Sequence, residues 1–267
     1  MVTIENYLRP ESLRDALSHK AQNREAPFLA CGTLWLARPD STRIETAIDI
    51  SKLLPHTFKD TGSSYVIGAG LSFQEFLEQP NLPPVFVKAL MTMSNRNIRN
   101  RATVGGNLGA NKSCASLIPL FLLLNAEVEL AEGDAPMPLA DWLESPKGII
   151  TAVHCEKPAG RFMNFCYLRR TSCDLSMITA AVAYTKTGTS LKNVRIVLGG
   201  FSLHARLRED LARLFEGKAL PDNKDAVIGL IRPELKAIAD QRGSSDYKEF
   251  IGAERVAEAL VGAEVQS

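Results

Sequence analysis

Histidine is scarce in this sequence and cysteine is unpaired. The four histidines, His19, His56, His154 and His204, form no H-x-x-x-H spacing. The five cysteines, Cys31, Cys114, Cys155, Cys166 and Cys173, are odd in number and scattered, with no C-x-x-C. Zinc and iron–sulfur sites need such groupings, so no metal ligand is assigned. His154 and Cys155 are adjacent, but neighbours in a strand point to opposite faces. Cysteines without a disulfide pattern predict a reduced, cytoplasmic protein.

Net charge is nearly absent too, at a formal +1, which gives no electrostatic case for nucleic acid or an anionic membrane. The longest apolar run, 117–124, is far short of a membrane span and is interrupted by Pro119. The N-terminal residues lack the basic and then apolar regions of a signal peptide. No internal repeat or low-complexity tract appears. Two nucleotide fingerprints are also missing. Gly68-Ala69-Gly70 is followed by Phe73, not the third glycine of G-x-G-x-x-G. Asn111-Lys112-Ser113 lacks the glycine that a P-loop places before its lysine.

What remains is ordinary globular material: 45% hydrophobic and 23% charged residues over 267 positions, enough for two domains. A helix is expected after Pro10, with Leu13, Ala16 and Leu17 on one face. Short strands are expected at 28–30, 46–50, 65–67, 126–130 and 149–153. Ser72 caps a helix carrying Phe73, Phe76 and Leu77, and 117–124 forms a buried helix. Proline and glycine at 158–160 mark a boundary. Beyond it come strands at 164–170, 177–184 and 193–200, a helix with Leu207, Leu211, Leu214 and Phe215, and a last helix over 247–261.

The most informative stretch is Ile98-Arg99-Asn100-Arg101-Ala102-Thr103-Val104-Gly105-Gly106-Asn107-Leu108-Gly109. Adjacent glycines permit φ > 0 and close approach to the backbone. Successive N–H groups in such a turn can form an anion-binding concavity. Thr103 and Asn107 add a hydroxyl and an amide. By spacing alone the stretch reads either as a plain glycine turn or as a phosphate-binding one.

This stretch closely resembles the second flavin motif of the FAD subunit of molybdenum hydroxylases, the xanthine dehydrogenase and carbon monoxide dehydrogenase family. Other segments resemble that family in the same order. Ala30-Cys31-Gly32-Thr33-Leu34-Trp35 follows an apolar strand, as the first flavin motif, Ala-Gly-Gly-Thr-Asp-Leu, does. Cys31, Leu34 and Trp35 are departures from it. Ser116 stands thirteen residues after Thr103, where the family has an Asp that binds flavin hydroxyls. Cys166 stands where the family has a Lys near the flavin ring, while Arg170 and Asp174 match the family pattern. Arg170 and Asp174 could equally form a structural ion pair. The segment 240–248 resembles the family's Asp-x-Arg-x-Ser-x-x-Tyr-Arg signature, read as packing and partner docking.

The resemblance implies an α+β fold. A two-part FAD-binding domain over 1–158, divided near 58 into 1–58 and 59–158, precedes a C-terminal domain over 159–267 with a small antiparallel sheet and a helical bundle. It implies FAD as cofactor, held by Ala30, Cys31, Gly32, Thr33, Leu34, Trp35, Thr103, Gly105, Gly106, Asn107, Ser116, Ile150 and Cys166, and no catalytic side chain. It also implies a molybdopterin-binding large subunit and a 2Fe–2S small subunit as partners, with NAD or another acceptor taking the electrons. An alternative stays open: a subunit that kept the fold, lost flavin and serves assembly.

Overall fold

The computed structural model describes residues 2–37, 43–133 and 135–266. They form two compact units that interleave along the chain. The first unit draws on 1–79, 95–110 and 127–155, the second on 80–94, 111–126 and 156–267. The helices Pro84–Leu90 and Ile118–Leu123 therefore pack with the second unit although they precede residue 158.

The first unit holds two sheets. Strands β1 (Thr3–Leu8), β2 (Phe28–Leu29) and β3 (Arg43–Asp49) lie in the order β1-β3-β2, each outer strand parallel to β3. Parallel neighbours need a crossover, and the helix Leu13–Gln22 lies in the one between β1 and β2. Ser12 caps it by accepting the Asp15 N–H at 3.1 Å. Leu29, Ile44 and Ala47 make its small core. The second sheet runs β4-β5-β8-β6-β7: β4 (Phe58–Asp60), β5 (Ser64–Gly68), β6 (Glu127–Leu130), β7 (Met137–Pro138) and β8 (Ile150–Glu156). After β5, Ser72 and Glu75 form a capping box at the helix Phe73–Leu77.

The second unit is built on an antiparallel sheet, β12-β11-β10-β9-β13. Its strands are β9 (Phe162–Leu168), β10 (Ile178–Thr187), β11 (Ser190–Gly199), β12 (Arg206–Leu207) and β13 (Glu264–Val265). Residues 178–184 of β10 are buried without alternation, so both faces of the sheet are covered. The helix Ser245–Val261 packs on β9 and β10, and Ile118–Leu123 packs on β10 and β11. Leu207, expected in a helix, pairs with Val197 as part of β12; the helix starts two residues later, as Glu209–Phe215. The pairing with Val197 places Leu207 in the sheet and outside the helix.

Two polar clasps complete this unit. Lys248 is fully buried, and its Nζ donates to Gly200 O at 3.1 Å and Ile238 O at 2.9 Å and lies 3.0 Å from Asp240 Oδ1. Gln266, also buried, accepts the Val85 N–H at 3.1 Å and donates to Glu264 O at 2.9 Å. No helix among the described residues is long and apolar enough to cross a membrane.

Candidate functional site

Parallel pairing turns the C-terminal ends of β1, β2 and β3 the same way, which is where open parallel sheets bind ligands. The first flavin-like motif leaves the sheet there. Gly32 has φ +70°, a left-handed conformation that suits glycine. The Leu36 N–H donates to Gly32 O at 2.8 Å and closes the turn. Ala30, Cys31, Thr33 and Leu34 are half-buried. Trp35 packs against the core of Leu29, Ile44 and Ala47, so the indole is taken into the unit and does not crowd the turn.

The second motif differs from its sequence reading. It is not a left-handed glycine turn but the start of a helix, Val104–Ala110. Neither Gly105 nor Gly106 has positive φ. All four leading amides have partners within the chain. Val104 N–H donates to Leu71 O at 3.0 Å and Gly105 N–H to Ala69 O at 2.8 Å. Gly106 N–H donates to the Thr103 hydroxyl at 3.0 Å and Asn107 N–H to Thr103 O at 3.0 Å. The expected concavity of open N–H groups is therefore not formed. Close approach explains Gly105, because a Cβ there would lie 2.8 Å from Ala69 Cβ. Gly106 is exposed, and a Cβ on it would meet Thr103 Oγ1 at 2.8 Å and Ala30 Cβ at 3.9 Å. The two motifs thus face each other across Ala30 and Gly106.

Beside them lies a cleft of about 250 Å³. Tyr7 and Arg9 at the end of β1 form one wall, and Cys31, Gly32 and Leu36 another. Asp49, Ser51 and Arg101 complete it. Asp49 accepts the Tyr7 hydroxyl at 2.8 Å and the Ser51 N–H at 3.0 Å, with Arg9 at 3.9 Å. Burial alone would raise the Asp49 pKa, but the Ser51 and Tyr7 bonds and the Arg9 charge outweigh it and hold the carboxyl below its ordinary value. Burial, followed by the Asp49 bond and charge, pushes the Tyr7 phenol up. Burial pushes the Cys31 thiol up against the pull of Arg101. Among the described residues the lining therefore carries two guanidiniums and one carboxylate, beside a thiol and a phenol whose pKa values are raised.

Tyr7, Arg9, Asp49, Ser51 and Arg101 were not marked by the motifs. The signal available was weak: Tyr7 and Arg9 are two apart at a strand end, which puts them on one face. That Asp49 joins them follows only from the strand pairing. Of the other residues named from the sequence, Ile150 is buried in β8 opposite Leu130. Ser116 and Cys166 belong to the second unit. Ser116 is buried. Cys166 lies in that unit's hydrophobic core, where burial and then the charge of Glu258 push its pKa to about 11. Arg170 donates to Arg242 O at 3.0 Å, and Asp174 is exposed.

Residues 2–155 match the family model described as the FAD binding domain in molybdopterin dehydrogenase. The protein YgfM of Escherichia coli K12 is 30% identical over 258 residues, covering 96% of this chain and 95% of its own. The carbon monoxide dehydrogenase medium chain of Hydrogenophaga pseudoflava is 25% identical over 276 residues, 95% of each chain. The solved carbon monoxide dehydrogenase of Hydrogenophaga pseudoflava that lacks the Mo-pyranopterin moiety superposes with a TM-score of 0.86 at 22% identity, over 98% of both chains.

Proposed function

The chain belongs to the family of FAD-binding domains of molybdopterin dehydrogenases, and on that footing we propose that it is the FAD-carrying electron-transfer subunit of a molybdenum-dependent hydroxylase or dehydrogenase. In this reading a separate molybdopterin-binding large subunit oxidises the organic substrate. A 2Fe–2S small subunit passes the electrons to FAD, and NAD or another acceptor removes them. The chain alone would not act on the organic substrate. Residues 1–158 would serve the flavin and 159–267 the partner subunits, in a reducing cytoplasm that keeps the five cysteines free.

The observation that carries the proposal is the meeting of both motifs. Residues 30–35 and 103–107 approach each other at Ala30 and Gly106, next to a cleft whose described lining carries two arginines and one carboxylate. A dinucleotide carries a doubly charged diphosphate, and this surface suits it. Bound FAD would supply the redox chemistry itself, and the protein's part is to bind and orient it. Thr103 fixes the helix start that presents Gly106.

One observation favours the second reading, a subunit that kept the fold without flavin: the amides of residues 104–107 are all bonded within the chain. The visible spectrum of the purified protein, before and after incubation with FAD and gel filtration, separates the two. A flavin band that travels with the protein supports the proposal. Protein that stays colourless in excess FAD sinks it and leaves the assembly role.

A further inference from the structure

We infer that strand β1 is a docking edge for a second copy of this chain, and that two copies pair their β1 strands antiparallel about a twofold axis at Asn6. The inference goes beyond the flavin reading and does not depend on it.

Among the described residues, five of the six edge strands are short. Phe28–Leu29, Met137–Pro138, Arg206–Leu207 and Glu264–Val265 have two residues each, and Phe58–Asp60 has three. Short edges offer little backbone to an incoming strand. β1 is the exception, with six residues, and no described strand lies on its outer side. Its register with β3 runs without a shift, so no bulge twists the edge away. It has no lysine or proline, and its one charged side chain, Glu5, is held by Arg43. Thr3, Glu5, Asn6 and Tyr7 are exposed. The usual protections are thus absent from the one edge long enough to need them. The sheet behind it is also small, with three strands over a core of Leu29, Ile44 and Ala47, so a fourth strand adds to it.

The residues of β1 select its own copy. A closed pair requires antiparallel strands with the twofold axis normal to the sheet, and such an axis sets one residue opposite itself. With Glu5 on the axis two carboxylates meet, which opposes pairing. With Tyr7 on it the pairing runs into Pro10, which has no N–H to give. Axes at Thr3, Ile4 or Leu8 leave much of the strand unpaired. With Asn6 on the axis all of 4–8 pairs. Ile4 then faces Leu8 of the second copy on one side of the sheet, and Glu5 faces Tyr7 of the second copy on the other. Beyond them Arg9 faces Thr3 and lies diagonal to Glu5 of the second copy, so opposite charges sit near each other and no like charges stand directly opposite. A head-to-tail array would need a second long edge, and the other edge of this sheet, β2, has two residues.

The test uses the full-length chain, followed by sedimentation over a range of concentrations and by mild oxidation in air. Wild type is expected to pass reversibly from one chain to two as concentration rises. Asn6→Lys sets two ammoniums opposite each other at an exposed site, so the fold should survive by circular dichroism while pairing weakens by about tenfold. Asn6→Cys should join two copies by a disulfide, because opposed residues of an antiparallel pair have Cα atoms roughly 4.5–5.5 Å apart, inside the disulfide range. Glu5→Cys should not, since those two positions are roughly 8 Å apart in this register. Cys173 is exposed, so cross-linking is read as the excess over wild type. Wild type that stays a single chain at every concentration overturns the inference. So does Asn6→Lys that pairs as tightly as wild type, or Glu5→Cys that cross-links as well as Asn6→Cys. Aggregates of rising size overturn the closed pair. A chain that is single by itself, but whose Asn6→Lys variant joins its partner subunits less well, also overturns it and gives the edge to a strand of a partner.

Discussion

Lys248 is the most demanding single residue of the second unit. Its ammonium has no access to water and is held by two carbonyls and Asp240. Replacing one partner of such a buried arrangement strands the other, and the cost is several kcal/mol when both are buried. Asp240 keeps about a quarter of its side chain exposed, which discounts the figure. Lys248→Met is therefore expected to lower unfolding stability by about 2–3 kcal/mol in urea titration. The same network predicts a pH effect. Burial raises the Asp240 pKa, but the Arg242 amide and the Lys248 ammonium more than reverse this, so the folded value lies below the ordinary one. A depressed carboxyl adds stability that is present above its unfolded value, about pH 4, and is lost as pH falls through the folded value. Acid unfolding should be less steep in Lys248→Met than in wild type. An unchanged acid limb would show that the pair does not couple to folding. Sequence alone matched position 248 only to a signature; its burial depends on Gly200 and Ile238, contacts that no local pattern announces.

Among the elements, the Ser72 cap was readable because the mechanism is local: the serine accepts the N–H three residues on, as Ser12, which was not marked, does at the first helix. The helix Val104–Ala110 was not readable, because it opens with two glycines, the poorest helix formers after proline. It exists because Leu71 O and Ala69 O hold its first amides from outside, a tertiary effect that overrides propensity. A local side-chain prop is the Thr103 hydroxyl on Gly106 N–H at 3.0 Å. Thr103→Val, nearly the same in shape, should cost about 1 kcal/mol of stability and loosen the first turn. On the flavin reading, the FAD dissociation constant should rise several-fold while far-UV circular dichroism stays the same. FAD binding unchanged beside a clear loss of stability would mean that the helix start is structural only.

At the scale of the whole molecule, the α+β class, most strands and the order of motifs were legible, since they rest on patterns within a few residues. The interleaving of the two units was not. The segment 111–126 gives no local sign that the apolar helix Ile118–Leu123 packs on β10 and β11, strands that lie after residue 178. This yields a prediction about truncation. A chain ending at residue 158 keeps Phe86, Phe121 and their neighbours but lacks the sheet that buries them. It should aggregate or bind a hydrophobic dye strongly, where the full chain does not. A soluble, cooperatively melting fragment 1–158 would contradict the packing described.

The Gln266 clasp sets a clock on biosynthesis. Its partner Val85 leaves the ribosome early, and so do the apolar helices on either side of the second motif. Their cover arrives only once 127–266 have been made, roughly ten to thirty seconds later at about 5–20 residues per second. During that interval the nascent chain carries two uncovered greasy segments between pieces of the first unit. Such a chain should depend on holding chaperones while it is being made, and codon changes that slow translation after residue 126 should lower soluble yield without altering the finished protein.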